Sequence, residues 1–296
     1  MNRVLILAGP TASGKSRLAI ELAERFGAEI VGADSRQVYR GMPIGTAAPS
    51  IEQRAAIPHH LVEFLDPNER YSAARYAADA VAAIEGIHAR GKRAIVVGGT
   101  GFYIRALAGG VDLAPQYDER LRERLAIEAR RHDTEFLHAW LAARDPQRAA
   151  MLPASDTYRV LRALEVALAP GMLRGDRPLR SLPASGIAFE KFYLEVADDE
   201  LDARIAYRTD AMLASGLLEE AERIGPDAVA ASAVGYPQAL AYLRGWCTHA
   251  ELRTLLIRKT RRYAKRQGTW FRSEPHVTRI ARGCTAAAAR EKLGWA

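Results

Sequence analysis

Val4-Leu5-Ile6-Leu7-Ala8 runs directly into Gly9-Pro10-Thr11-Ala12-Ser13-Gly14-Lys15-Ser16, and this junction decides the fold. The short apolar run reads as a strand buried on both faces. From about Lys15 to Phe26, Leu18, Leu22 and Phe26 recur one turn apart, which predicts a helix, with Gly27 as its C-cap. Between strand and helix the residues match G-x-x-x-x-G-K-[ST], a phosphate-binding loop in the context it requires. Its glycines let backbone N–H groups curl around phosphate oxygens, and the helix N-terminus adds the positive end of its dipole. Lys15 adds a point charge, and the Ser16 hydroxyl can ligate Mg²⁺.

The same alternation continues outward. Residues 28–33 read as a second strand ending at Asp34-Ser35, and 72–90 as an alanine-rich helix closed by Gly91. Residues 93–97 read as a third buried strand, ending in Gly98-Gly99-Thr100-Gly101. Strands alternating with helices predict an α/β fold, a P-loop parallel-sheet core with helices on both faces. Ligands of such sheets sit beyond the carboxyl ends of the strands, where all three of these turns fall. From about 113 the pattern becomes helical (117–131, 134–143, 156–169), followed by a loop rich in glycine, proline and arginine at 170–188. Phe192, Leu194 and Val196 alternate on a returning strand, and 199–224 and 249–271 are helical. The expected organisation is therefore a core at 1–112, a helical insertion domain at 113–189, and core completion with basic C-terminal helices at 190–296. The tail beyond about Ile280 carries no clear pattern.

Composition bounds the function. In 296 residues, 49% are hydrophobic and 26% charged, which excludes disordered and collagen-like chains. Only Cys247 and Cys284 occur, with no zinc-ligand spacing, which argues against a disulfide or zinc framework and fits a reducing cytoplasm. No apolar run is long enough for a signal peptide or membrane span. The net charge of +7 suggests a polyanionic partner. Arg253, Arg258, Lys259, Arg261, Arg262, Lys265, Arg266 and Arg272 form a one-sign run interleaved with Tyr263, Trp270 and Phe271. That pattern favours nucleic-acid phosphates and base stacking over a merely solvated helix. Adjacent His59 and His60 point in different directions and read as structural.

Two turn residues have open readings. Asp34 is either the cap of a following helix or a carboxylate beside the phosphate site, acting as general base or metal ligand. Thr100 is either a turn residue or a hydroxyl facing the same crevice. A usual P-loop NTPase also carries an acid at the end of a hydrophobic strand to hold Mg²⁺. Here Ala94-Ile95-Val96-Val97 ends in Gly-Gly-Thr instead, which counts against ordinary ATP hydrolysis.

Seven motifs then occur in order: the P-loop, Ala33-Asp-Ser-Arg-Gln-Val-Tyr39, Pro58-His-His-Leu61, Gly98-Gly-Thr-Gly-Phe-Tyr103, Arg162-Ala-Leu-Glu165, Val234-Gly-Tyr236 and Lys265-Arg-Gln-Gly-Thr-Trp-Phe-Arg272. With them the chain closely resembles, over about residues 4–272, the bacterial tRNA dimethylallyltransferase family. The resemblance implies transfer of the dimethylallyl group from dimethylallyl diphosphate to N6 of the adenosine immediately 3′ of the anticodon, with release of diphosphate. It implies Asp34 as the base accepting the N6 proton and Thr100 at the reacting centre. It implies the P-loop with Mg²⁺ on the diphosphate and Arg208 as a second clamp. For the tRNA anticodon stem-loop it implies contacts from Asp34, Ser35, Arg36, Gln37, Thr100 and Arg122. Further tRNA contacts are implied from Tyr158, Arg159, Val160, Leu161 and Arg162, and from Ser232, Ala233, Val234, Gly235, Tyr236 and Pro237. A monomer in the cytoplasm, with no membrane partner, is expected. The chain departs from the family pattern at Leu152-Pro-Ala-Ser-Asp156, Tyr158, Ser232 and Pro237 and is short over 224–232. These departures fall on RNA-contacting segments and leave the chemical centre intact. Two other classes compete with the transferase: a small-molecule P-loop kinase, and a non-catalytic RNA-binding protein with a relict loop.

Overall fold

The computed structural model describes residues 3–111, 119–169 and 180–295. Contacts divide the chain into two compact units, Met1–Val111 with Leu179–Ala296, and Asp112–Pro178. In the first unit, β1 (Arg3–Ala8), α1 (Lys15–Phe26), β2 (Ala28–Gly32), α2 (Pro43–Thr46), α3 (Ile51–Ala56), β3 (His59–His60), α4 (Ala73–Ala89), β4 (Arg93–Gly98) and α5 (Gly101–Leu107) come first. The second unit holds α6 (Glu119–Arg131), α7 (Thr134–Arg144), α8 (Pro146–Ala150) and α9 (Thr157–Leu168). The first unit resumes with β5 (Ala188–Leu194), α10 (Asp198–Ala214), α11 (Leu217–Ile224), α12 (Tyr236–Leu243), α13 (His249–Arg272), β6 (Val277–Ile280) and α14 (Thr285–Leu293).

The six strands form one parallel sheet in the order β3-β2-β4-β1-β5-β6. Alternation along each strand sends side chains to opposite faces. Leu5, Leu7, Ile30, Ile95, Phe192 and Leu194 share a core with Leu18, Leu22 and Phe26 of α1. Val4, Ile6, Val31 and Val96, of the opposite parity, are equally buried, and α4 packs on β2 and β4 through its own buried Ala77, Ala80, Val81 and Ile84. Both faces are covered, which is why these strands read as continuous apolar runs.

Several expectations are revised. β5 ends at Leu194, so Val196 lies past the strand; Phe192 and Leu194 do share one face, but the residues between and before them are buried too. The helix expected over 199–224 is two helices, broken at Ser215-Gly216. The tail has structure: β6 extends the sheet beside β5, and α14 brings Ala289, Leu293 and Trp295 onto the α1 face of the core. An insertion ending at 189 differs from the division of contacts, because Leu182 and Ile187 are buried in the first unit and the Leu182 N–H donates to the Leu107 carbonyl at 2.9 Å. The loop expected at 170–188 lies largely outside the described residues, as do positions 117–118 of the helix expected over 117–131. Among the described residues no helix is long and apolar enough to cross a membrane.

The second unit has its own small core. Leu125, Leu137, Leu141, Ala149, Leu152, Val160 and Leu164 pack together from all four elements and the α8–α9 connection. Asp156 caps α9, its Oδ1 accepting from the Arg159 N–H at 3.2 Å.

Candidate active site

Beyond the carboxyl ends of β1, β2 and β4 lie the P-loop, the Asp34 turn and the Thr100 turn. In the P-loop, Ala12 (φ 64°) and Gly14 (φ 86°) both occupy the left-handed region. Such alternation turns successive N–H groups to one side and makes an anion-binding concavity at the start of α1. Ser13 is buried, and its hydroxyl has no hydrogen-bond partner. Lys15 Nζ donates to the Pro10 carbonyl at 3.3 Å. Burial lowers the Lys15 pKa to about 8, against the opposing pull of Asp34, and Arg208 lowers it further.

Asp34 follows β2. No helix begins there. Its Oδ1 accepts from the Arg36 N–H at 2.9 Å, a local turn, so the capping reading falls away. The Thr100 hydroxyl accepts from the Ser35 N–H at 3.0 Å, and the Thr100 N–H donates to the Ala33 carbonyl at 3.2 Å. The two turns are thus tied to each other.

A cavity of about 240 Å³ opens at this point. Thr11, Asp34, Ser35, Arg36, Arg208, Ser232, Ala233, Val234 and Gly235, all anticipated from sequence, line it together. They come from four separate stretches of the chain. Arg208 Nη1 reaches Thr11 Oγ1 at 3.4 Å, and Nη2 reaches the Thr46 carbonyl at 3.5 Å. Burial lowers the Arg208 pKa and Asp34 opposes this. Ile205, Met212, Leu217 and Leu256 supply apolar wall.

Other anticipated residues sit differently. Gln37 Nε2 donates to the Thr46 and Ala47 carbonyls, both at 3.0 Å, so that side chain braces the wall. Tyr236 is fully buried, with its hydroxyl on Glu220 Oε1 at 2.7 Å, and its side chain has no face for RNA. Pro237 and Ser232 are exposed. In the second unit, Tyr158 and Arg159 are exposed on α9, while Val160 is buried in that unit's core and likewise has no face for RNA. Leu161 packs against the same core. Arg162 pairs with Glu165 at 2.7 Å, and Arg122 is half-buried on α6.

Sequence reading missed three contributors. Tyr263 lines the cavity beside Thr100, and burial raises its pKa, as does Asp34. Gln267 lies one turn further along α13 and reaches the P-loop backbone. Glu220 Oε2 and Oε1 accept from the Ile44 and Gly45 N–H groups at 2.9 and 2.7 Å and so hold the Gly45-Thr46 wall. The available signal was periodic: Leu256, Thr260, Tyr263 and Gln267 recur on one face of a helix. Along α13, Arg253 and Arg261 pair with Asp210 and Asp202 of α10, whereas Arg258, Lys259, Arg262, Lys265 and Arg266 are exposed. Of the exposed basic residues, Arg266 lines the cavity, and Lys265 borders a separate groove with Arg261 and Arg272.

Known proteins place this arrangement. A family described as IPP transferase matches residues 37–274, and one described as isopentenyl transferase matches residues 2–58. A tRNA dimethylallyltransferase of Geobacter sulfurreducens is 44% identical over 286 residues, covering 93% of this chain and 90% of the relative. One of Anaeromyxobacter dehalogenans is 46% identical over 288 residues, covering 94% and 95%. The chain belongs to the tRNA dimethylallyltransferase family. Solved structures agree. The tRNA isopentenylpyrophosphate transferase of Bacillus halodurans superposes with a TM-score of 0.70 at 33% identity, over 99% of this chain and 96% of that one. A eukaryotic dimethylallyltransferase acting on tRNA gives 0.78 at 27% identity, over 98% and 78%. A tRNA dimethylallyltransferase is a prenyl-transferring enzyme, so the small-molecule kinase is set aside, and with it the non-catalytic RNA binder. For such a transferase the missing strand-end acid is no defect, since its P-loop need hydrolyse no ATP.

Proposed function

We propose that the cavity of the first unit transfers the dimethylallyl group from dimethylallyl diphosphate to N6 of the adenosine 3′ of the anticodon. The observation that carries this is the convergence of Asp34, Thr11 and Arg208 on one cavity, a carboxylate facing a diphosphate-binding set. The adenine amine is a weak nucleophile. As N6 attacks C1 of the allyl group, the C1–O bond breaks and diphosphate departs with the bonding pair. Asp34 accepts the N6 proton. Thr100, bonded to the Ser35 backbone, fixes the turn that carries this base. Charge growing on the diphosphate is met by the P-loop amides, the Ser13 hydroxyl, Lys15 and Arg208, all in place before reaction. The target base must leave its stack to enter.

The donor set fits a diphosphate-bound Mg²⁺. Among the described residues no group of three His, Cys, Asp or Glu side chains is arranged to hold a metal. The exposed Ser16 hydroxyl at the start of α1 is a single neutral ligand, which suits Mg²⁺ carried by substrate phosphates and water. Bound there, it would supply further charge neutralisation to the leaving group. The exposed basic residues of α13 would bind tRNA phosphates; in the second unit, the exposed Tyr158 and Arg159 are by themselves candidates for contacting the anticodon stem-loop. With tRNA as its substrate, the enzyme is read as a monomer acting in the cytoplasm.

The deciding experiment uses unmodified tRNA, Mg²⁺ and labelled dimethylallyl diphosphate under single turnover, with N6-dimethylallyladenosine read by mass. Asp34→Asn should lose about 10²- to 10⁴-fold in rate, the range for a general base. Its tRNA affinity should stay within about threefold. An undiminished single-turnover rate for Asp34→Asn would refute the base assignment.

A further inference from the structure

We propose that Gln267 is a positioning residue for the reaction, fixing the diphosphate loop against the Thr100 turn. The inference rests on the assignment of those two turns to the diphosphate and the reacting centre.

β1 and β4 are neighbours in the sheet, and their register ends at Ala8 opposite Gly98. Past that pair the backbones part, one into the P-loop and the other into the turn before α5. No ladder remains to hold them together. Gln267 takes over at this point. Its Oε1 accepts from the Thr11 N–H at 2.8 Å, and its Nε2 donates to the Gly99 carbonyl at 3.0 Å. One side-chain amide thus stands in for the missing peptide link, offering an acceptor to one turn and a donor to the other. A flipped amide would face donor with donor and acceptor with acceptor, so the orientation is unique.

The fit leaves no slack. Gln267 is 5% exposed. A Cβ on Gly99 would stand 2.1 Å from Gln267 Nε2, so the turn is glycine because the amide fills the space. The side chain is borne by a long helix whose start is closed by a Thr248–Glu251 capping box. Tyr263, one turn earlier on the same face, borders the Thr100 side chain. In a displacement, the base side and the leaving group must keep a fixed separation, and an error of about 1 Å costs on the order of 10²-fold in rate. Gln267 touches neither reacting atom, but it sets that separation.

The test uses the full-length chain with dimethylallyl diphosphate, Mg²⁺ and an anticodon stem-loop RNA. Gln267→Leu removes both bonds. Gln267→Glu keeps the shape and the acceptor for Thr11 but sets an oxygen against the Gly99 carbonyl. Rates are referred to RNA-binding-competent protein, so a partly unfolded preparation does not enter. At saturating substrates the single-turnover rate should fall roughly 100-fold for Gln267→Leu and at least about tenfold for Gln267→Glu. RNA Kd should stay within about twofold. In a Thr100→Ala background, Gln267→Glu should cost less than about threefold, because the hydrogen bond that passes the positioning on to the Asp34 turn is already lost. A Gln267→Glu rate within about threefold of the unaltered chain would overturn the proposal, as would a penalty that multiplies in full with Thr100→Ala. Lys15→Ala and Thr100→Ala separate the two layers. If both keep full rate, the site assignment itself fails. If both lose rate while the Gln267 variants keep it, only the positioning role fails.

Discussion

Diphosphate affinity should fall as pH rises through about 8, and Lys15 is the reason. Its ammonium is half-buried at the P-loop, and burial lowers its pKa from 10.5 to about 8 in the ligand-free protein. The sign follows from which form binds. A diphosphate needs the charged lysine, and its negative charge pulls the pKa of the bound lysine back up. Below about pH 7 the lysine is already charged, and binding takes up no proton. Above about pH 8 binding must recruit one. With a free-state value of about 8, the charged fraction falls from roughly nine-tenths near pH 7 to roughly one-tenth near pH 9. Affinity should weaken about tenfold across that interval, with close to one proton taken up per diphosphate at the upper end. Calorimetry with magnesium diphosphate, in two buffers of different ionisation heat, reads affinity and proton uptake together. The diphosphate has its own titration, so the comparison is with Lys15→Met, whose profile should lose this component. Equal slopes for the two proteins would show that Lys15 is fully charged throughout and that its burial is of no consequence.

Two further outcomes test the scaffold. Glu220→Ala strands the Ile44 and Gly45 N–H groups and leaves the buried Tyr236 hydroxyl only the Met42 carbonyl at 3.5 Å, so roughly 3 kcal/mol of stability should be lost; an unchanged urea midpoint would show that these donors find other partners. Trp295 is 3% exposed and meets the Phe26 ring edge-on at 5.5 Å, so Trp295→Ala should cost about 3 kcal/mol in the same assay; a loss below roughly 0.5 kcal/mol, the scale of an ordinary surface change, would mean that the tail is not part of the core.

Much of this protein is set locally and was legible. The run Val4–Ala8, the loop to Ser16 and the helix spacing of Leu18, Leu22 and Phe26 specify strand, phosphate loop and helix from neighbours in sequence. Asp34 and Thr100 were visible because the carboxyl end of a strand in a parallel sheet is a fixed address. Wherever the deciding contact joins distant residues, sequence was silent or misleading. Tyr236 belongs to a motif that reads as RNA contact, yet its side chain is spent on Glu220, sixteen positions away. The tail after Ile280 looked patternless because its few apolar residues gain meaning only against α1 and the sheet. Gln267 sat inside a basic motif and passed as one more polar residue, and only the divergence of β1 and β4 shows what its amide joins, 256 positions from Thr11. The physical reason is the same in each case. Periodicity and turn chemistry are properties of a few consecutive residues, whereas a buried hydrogen bond is specified by two partners that meet only once the chain has folded.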